Sequence, residues 1–151
     1  MTKDELKKKI KAWDSILWRE EIAEKSTLTT YRKWKTEIKG EDRLYDNRPA
    51  LIIFFKCRTN NLPLKDRNRH SGRETTCDMC GAPVEDLKHF ILWCPEYQEE
   101  RREETLMQQP YIEDEDRILG ELLFEEKNLK KTKEVFYKFW RKREKKMKLN
   151  Q

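Results

Sequence analysis

The sequence predicts an all-α fold, and three observations carry that prediction. Four Gly and five Pro in 151 residues leave little of the turn punctuation that many short strands need. Apolar residues recur at steps of three and four near both ends of the chain, which is the period of one helical face. Between them, an unbroken apolar run follows directly on Asp46-Asn47-Arg48-Pro49, a helix-start signature. Charged residues at 42% outnumber apolar ones at 36%, so the expected core is thin. Five Trp, five Tyr and six Phe nevertheless argue against disorder. The expected organisation is one compact domain in three stretches: an N-terminal helical segment over 1–45, a core helix with a basic loop and a knuckle over 46–110, and C-terminal helices with a basic tail over 111–151.

From Lys3 to about Glu24, Leu6, Ile10, Trp13 and Leu17 fall at steps of four, three and four, with Lys7, Lys8, Lys9 and Lys11 as a solvated rim. Ser26 or Thr27 caps a second helix carrying Leu28, Tyr31, Trp34 and Ile38, with Lys39-Gly40 as its stop. Trp34, between Lys33 and Lys35, has the position of a base-stacking aromatic, but its place on a helical stripe favours the core. Asp46 or Asn47 caps the next helix, with Pro49 in its first turn. Ala50-Leu51-Ile52-Ile53-Phe54-Phe55 is apolar all round, and a buried strand is its alternative reading. Continuation to Leu62 favours a helix at the centre of the core, flanked by the two N-terminal helices and the C-terminal one. Cys57 on this helix reads as a packing thiol.

After the knuckle, Pro95 opens a helix from Glu96 to about Gln108, anchored by Tyr97 and Leu106. Glu113-Asp114-Glu115-Asp116 suits the positive end of the following helix dipole better than it suits a metal site. The last helix, Asn128 to about Leu149, buries Leu129, Val135, Phe136, Phe139 and Trp140. Its basic end, Arg141 to Lys148, fits phosphate binding, a nuclear-import signal or a frayed soluble helix end. There is no internal repeat. No run approaches a membrane span, and Met1-Thr2-Lys3-Asp4 lacks a signal peptide's apolar stretch. The expected location is therefore the nucleus or cytoplasm, with no membrane association.

The one place where metal-grade ligands converge is Cys77-x2-Cys80-x8-His89-x4-Cys94. A Cys-x2-Cys turn aims two thiolates at one centre, and Gly81 follows where the knuckle needs a conformation that side chains resist. Leu87 to Trp93 reads as helix, presenting His89, with Cys94 closing the site. Three thiolates and a neutral imidazole form a closed set suited to structural Zn²⁺, with no position left for a catalytic water. Disulfides compete, but three clustered thiols leave an odd one. Unconnected buried thiols compete too, but leave the compact spacing with His89 unexplained.

Ahead of the knuckle, Lys56, Arg58, Lys65, Arg67, Arg69 and Arg73 accumulate, with Asn60, Asn61, Asn68 and His70 among them. Cationic side chains neutralise phosphates, and an Asn amide pairs with base edges or sugar hydroxyls. An ordinary basic loop paired with the acids that follow Glu85 is the equal alternative.

The run from Phe55 to His70, the Cys-Cys-His-Cys knuckle, Cys94-Pro95-Glu96-Tyr97 and Arg101-Arg102 together resemble the C-terminal zinc-binding region of non-LTR retrotransposon reverse transcriptases. The likeness is clearest from about Pro49 to Arg102. The flanking stretches Leu28 to Trp34 and Ile118 to Phe124 look like the same element types without distinctive motifs. The resemblance implies an accessory nucleic-acid-binding module that grips template RNA or target DNA beside a polymerase. It implies zinc on Cys77, Cys80, His89 and Cys94, with Arg58, Asn60, Arg67 and Arg69 on the nucleic-acid side. The sequence carries neither a Tyr-x-Asp-Asp polymerase pair nor the Pro-Asp…Asp/Glu-x-Lys nuclease set that some relatives have after the knuckle. The expectation is thus a non-enzymatic zinc module that binds RNA or DNA, with a protein-interaction scaffold of the same fold as the alternative. A hydrolase is disfavoured, because His70 has no evident nucleophile partner.

Overall fold

Two helices carry the core, and the apolar pattern explains why they meet. The computed structural model describes residues 1–25, 28–35, 48–102 and 114–149, and among them there is no strand. The α-helices are α1 (Lys3–Ala23), α2 (Thr29–Trp34), α3 (Pro49–Arg58), α4 (Gln98–Arg102), α5 (Glu115–Phe124) and α6 (Leu129–Leu149). The α6 helix buries Leu129, Thr132, Val135, Phe136, Phe139, Trp140 and Arg143, a stripe at three- and four-residue steps, and α3 is its main partner. Leu51, Ile53, Phe54 and Cys57 of α3 are buried. The apolar run is not enclosed on all sides, however, because Ile52 and Phe55 stand 46% and 44% exposed.

Aromatic rings then lead from α3 toward the knuckle. Phe54 lies 6.1 Å from Phe136, which lies 6.2 Å from Phe139. Phe139 stacks on Tyr97 at 4.9 Å, and Phe90 meets both edge-on at 5.3 and 5.9 Å. Ring pairs in such arrangements add to simple area burial. Phe54 has no exposed surface, so Phe54→Ala is expected to destabilise the domain by about 3–5 kcal/mol. Urea unfolding of the variant measures it, and an unchanged midpoint would contradict the central place given to α3.

The start of α3 follows the Pro49 signal, with Arg48 as a cap that lends no side-chain bond. Its end is a Schellman turn. Asn60, at φ +54°, sits in the left-handed region, the Asn61 N–H donates to Lys56 O at 2.8 Å, and the Asn60 N–H donates to Cys57 O at 3.2 Å. Asp114 caps α5 by accepting from the Arg117 N–H at 3.0 Å, the role expected of the acidic cluster. Cys57 is a buried free thiol away from the other three, pushed up by burial as a packing thiol would be.

The N-terminal helices reach this core through α5. Tyr31 and Trp34 of α2 meet Phe124 at 5.9 and 6.4 Å, the second stacked, and Trp34 is partly buried against the bare backbone of Gly120. A Cβ at Gly120 would overlap the Trp34 indole. The core reading of Trp34 therefore holds. The apolar face of α1 is a different matter. Thr2 and Glu5 form a capping box, yet Leu6, Ile10, Trp13 and Leu17 are all exposed, and only the C-terminal end of α1 brings a buried residue, Ile22. The expectation that this face flanks α3 is thus corrected. Periodicity identifies an apolar stripe, and no described residue covers it. The expected caps Ser26, Thr27, Asp46 and Asn47, the α2 extension through Ile38 to Gly40, and the helix beyond Arg102 lie outside the described residues. Among the described residues, no helix is long and apolar enough to cross a membrane.

Candidate metal centre

The knuckle is a short closed loop followed by a helical turn. The Gly81 N–H donates to Cys77 O and the Cys77 N–H to Ala82 O, both at 2.8 Å, folding the Cys-x2-Cys segment back on itself. Gly81 has φ +79°, and nothing lies within 4 Å of where its Cβ would be. The backbone conformation, rather than crowding, therefore calls for glycine there. At its far end the loop closes through the Glu85 N–H on Thr75 O at 2.9 Å and Thr75 Oγ1 on Pro83 O at 2.9 Å.

His89 to Trp93 form a π-helical turn. In an α-helix, residues five apart point about 140° from one another, so His89 and Cys94 would diverge. The wider turn, closed by the Cys94 N–H on His89 O at 2.7 Å, brings them to the same side. Asp86 Oδ1 accepts from the His89 N–H at 2.8 Å and opens that turn. Arg101 closes it. This buried guanidinium donates from Nε to Ile91 O at 2.7 Å, from Nη2 to Phe90 O at 3.2 Å and from Nη1 to Cys94 O. Carbonyls that the ending helix leaves without partners are satisfied together.

Ligand atoms of Cys77, Cys80, His89 and Cys94 all lie within 4.8 Å of one another, a group that can hold a metal ion. His89 presents Nε2 to the cluster, 3.3 Å from Cys80 Sγ. All four cysteines are free thiols, so the disulfide alternative is not realised. Burial pushes Cys94 up to about 12, with Cys77 and Cys80 adding to it, and burial likewise raises Cys77 beside the Glu85 carboxylate. Burial lowers His89 and keeps its imidazole neutral. Cys77, His89 and Cys94 are thus held toward their neutral forms, and metal uptake by the thiols releases protons.

Glu85 ties this centre to the rest of the chain, and sequence reasoning missed it. It is 1% exposed. Arg143 of α6 donates to it twice, Nε to Oε2 at 3.0 Å and Nη2 to Oε1 at 2.8 Å. The Lys65 N–H donates to Oε1 at 2.9 Å, and the Asp66 N–H donates to the Glu85 carbonyl at 3.0 Å. Cys77 Sγ lies 3.7 Å from Oε2. On the same face of α6, Lys146 Nζ donates to Met79 O at 2.7 Å, and Lys142 Nζ to Glu96 O at 2.6 Å and Glu100 Oε1 at 3.2 Å. One face of the basic tail is therefore committed to holding the knuckle. Arg143 was detectable, since it continues the Phe136, Phe139, Trp140 stripe. Glu85 sits in irregular chain and has no periodic signal.

The basic segment divides. Lys65 to His70 form a 3-10 turn, braced by Asn68 Nδ2 on Glu74 O at 3.0 Å. Arg67, Arg69 and Arg73 are exposed, and Lys56 and Lys65 are partly so. Lys65 pairs with Asp78 at 3.2 Å, and Arg69 with Asp66 at 3.5 Å. Asn60 is exposed as well and lines, with Arg67, Arg69 and His70, a cavity of about 290 Å³ that Asp66 and Asp86 also line. Arg58 does not belong to this surface. It is 3% exposed, its Nε donates to Leu123 O at 2.7 Å, and its guanidinium lies 5.0 Å from the Phe54 ring and 4.9 Å from that of Phe124. Four residues beyond Phe54, it falls on the buried face of α3 and caps the end of α5. Compared with protein-family models, curated proteins and solved structures, the chain matches none.

Proposed function

We propose that this chain is a non-enzymatic, zinc-stapled helical module that binds RNA or DNA through Lys56, Lys65, Arg67, Arg69 and Arg73. Zinc is the metal that suits three thiolates and one imidazole gathered within 4.8 Å of one another, and four protein donors leave no open position for a reacting water. The observation that carries the nucleic-acid reading is the exposure of Arg67 and Arg69 on one turn whose backbone is bonded to buried Glu85, with exposed Arg73 three residues beyond that turn. Guanidinium groups held on a fixed frame lose less entropy on meeting a phosphate than the same groups on a loose loop. The Arg69–Asp66 pair is open to water, where such contacts contribute about 1 kcal/mol or less, so a phosphate can displace it. The resemblance to the retrotransposon region points the same way.

The test is a salt titration of binding to single-stranded RNA, duplex RNA and duplex DNA. Replacing Arg67, Arg69 and Arg73 together by Ala is expected to weaken binding to all sequences alike. Each lost contact should flatten the log K against log salt slope by about 0.7 on single strands and about 0.9 on duplex DNA. Asn60 needs a different substitution, because Ala at φ +54° would strain the Schellman turn. Asn60→Gly keeps that turn and removes only the amide, so a changed base preference at unchanged salt slope assigns base reading to it. A triple variant that stays folded and binds as tightly as the parent would rule the surface out and favour a protein-interaction scaffold.

A further inference from the structure

The first two-thirds of α1 carries an apolar stripe open to solvent. Leu6, Ile10, Trp13, Ile16 and Leu17 are 50%, 53%, 65%, 52% and 43% exposed, and every residue from Met1 to Asp14 is exposed. The contacts that tie α1 to the body sit at its C-terminal end: buried Ile22, Trp18 edge-on to Tyr31 at 6.3 Å, and Arg32 Nη1 on Ala23 O at 2.7 Å. Helices in water draw most of their stability from burying such a face, and contiguous apolar patches on a soluble surface mark interaction sites. We propose that the stripe is a dimerisation surface on which α1 of a second copy of this chain lies antiparallel.

Two features choose that occupant. The four-three-four spacing of Leu6, Ile10, Trp13 and Leu17 is symmetric about the point between Lys11 and Ala12. An antiparallel copy therefore sets Leu6 against Leu17 and Ile10 against Trp13, each layer formed twice, along a coiled-coil seam. Charge is divided about the same point. Five lysines and two acids from Lys3 to Lys11 give net +3, while one arginine and four acids from Ala12 to Glu24 give net −3. Antiparallel pairing lays the basic half on the acidic half, whereas parallel pairing would set like on like. In this register Lys7 flanks the seam beside Asp14 of the second copy, twice per dimer. Attachment through the C-terminal end of α1 leaves the two bodies at opposite ends of the pair. Neither a lipid surface nor an unrelated apolar segment would account for a stripe and a charge pattern that share one centre of symmetry.

Sedimentation equilibrium of the full, metal-loaded chain tests this. The parent is expected to show a reversible monomer–dimer equilibrium over the micromolar to hundred-micromolar range. Trp13→Glu is expected to be monomeric throughout with the melting of the body unchanged, since Trp13 is largely exposed. Lys7→Glu and Asp14→Lys should each weaken the dimer about tenfold by turning two flanking pairs repulsive. Mixed in equal amounts, they should recover the parent's association, because the mixed pair restores both opposite-charge contacts. A parent that is monomeric over the whole range would overturn the proposal. So would a mixture of the two charge variants that associates no better than either alone.

Discussion

Cys80→Ser is expected to release the metal and to melt the knuckle while much of the helix content persists. Structural zinc contributes apparent binding free energy on the order of 10 kcal/mol, and a serine hydroxyl does not replace a thiolate ligand. The loss should spread along the bonds that meet at Glu85: the Lys65 and Asp66 amides, the loop from Thr75 to Ala82, and Arg143. It should stop short of the α3–α6 core, where Phe54 packs on Phe136. Hydrogen exchange is expected to show amides of Lys65, Asp66, Gly81 and Cys94 losing protection first and those around Val135 to Phe139 last. A chelator should reproduce the pattern in the parent. An unchanged melting curve after chelation would contradict the stapling role.

The second large effect is expected at Arg143. Its guanidinium and the Glu85 carboxylate bond bidentately with side chains only 8% and 1% exposed. Arg143→Met keeps much of the volume and leaves the carboxylate buried without its cation. Breaking a buried pair from one side typically destabilises by about 3–5 kcal/mol. Stability measured by urea should fall by that order in Arg143→Met, and the double variant with Glu85→Leu should recover part of it. Recovery is expected to be incomplete, because Glu85 Oε1 also accepts from the Lys65 N–H. Zinc affinity should fall by about 10–100-fold in Arg143→Met, as groups next to metal ligands usually affect it, since an uncompensated carboxylate then faces the Cys77 thiolate. Additive single effects in the double variant would mean that the two residues are not coupled.

Much of this was legible in the sequence, for reasons that differ from residue to residue. Cysteine and histidine spacing located the four-donor group because ligands brought together by one turn must lie close in the chain. Pro49, the acids before Arg117 and the Phe136–Trp140 stripe located three helices through caps and periodicity. What periodicity could not give is the identity of the surface a stripe faces, and α1 is the consequence. Arg58 and Arg143 were read as solvent-facing because charge usually is, although their phase on α3 and α6 places both on buried faces. Arg101 was noticed as an arginine but not as the cap of a π-turn, since no residue pattern specifies an extra residue in a helical turn. Glu85 depends on partners 8 to 58 residues away along the chain, and only folding brings them together.

If the knuckle is stapled as proposed, Cys77, Cys80, His89 and Cys94 together hold one zinc ion. Native mass spectrometry of the full chain tests it most directly. One zinc per chain is expected in the charge states of the folded protein, and none in Cys80→Ser. A folded parent chain that carries no metal after purification in the presence of zinc would contradict it.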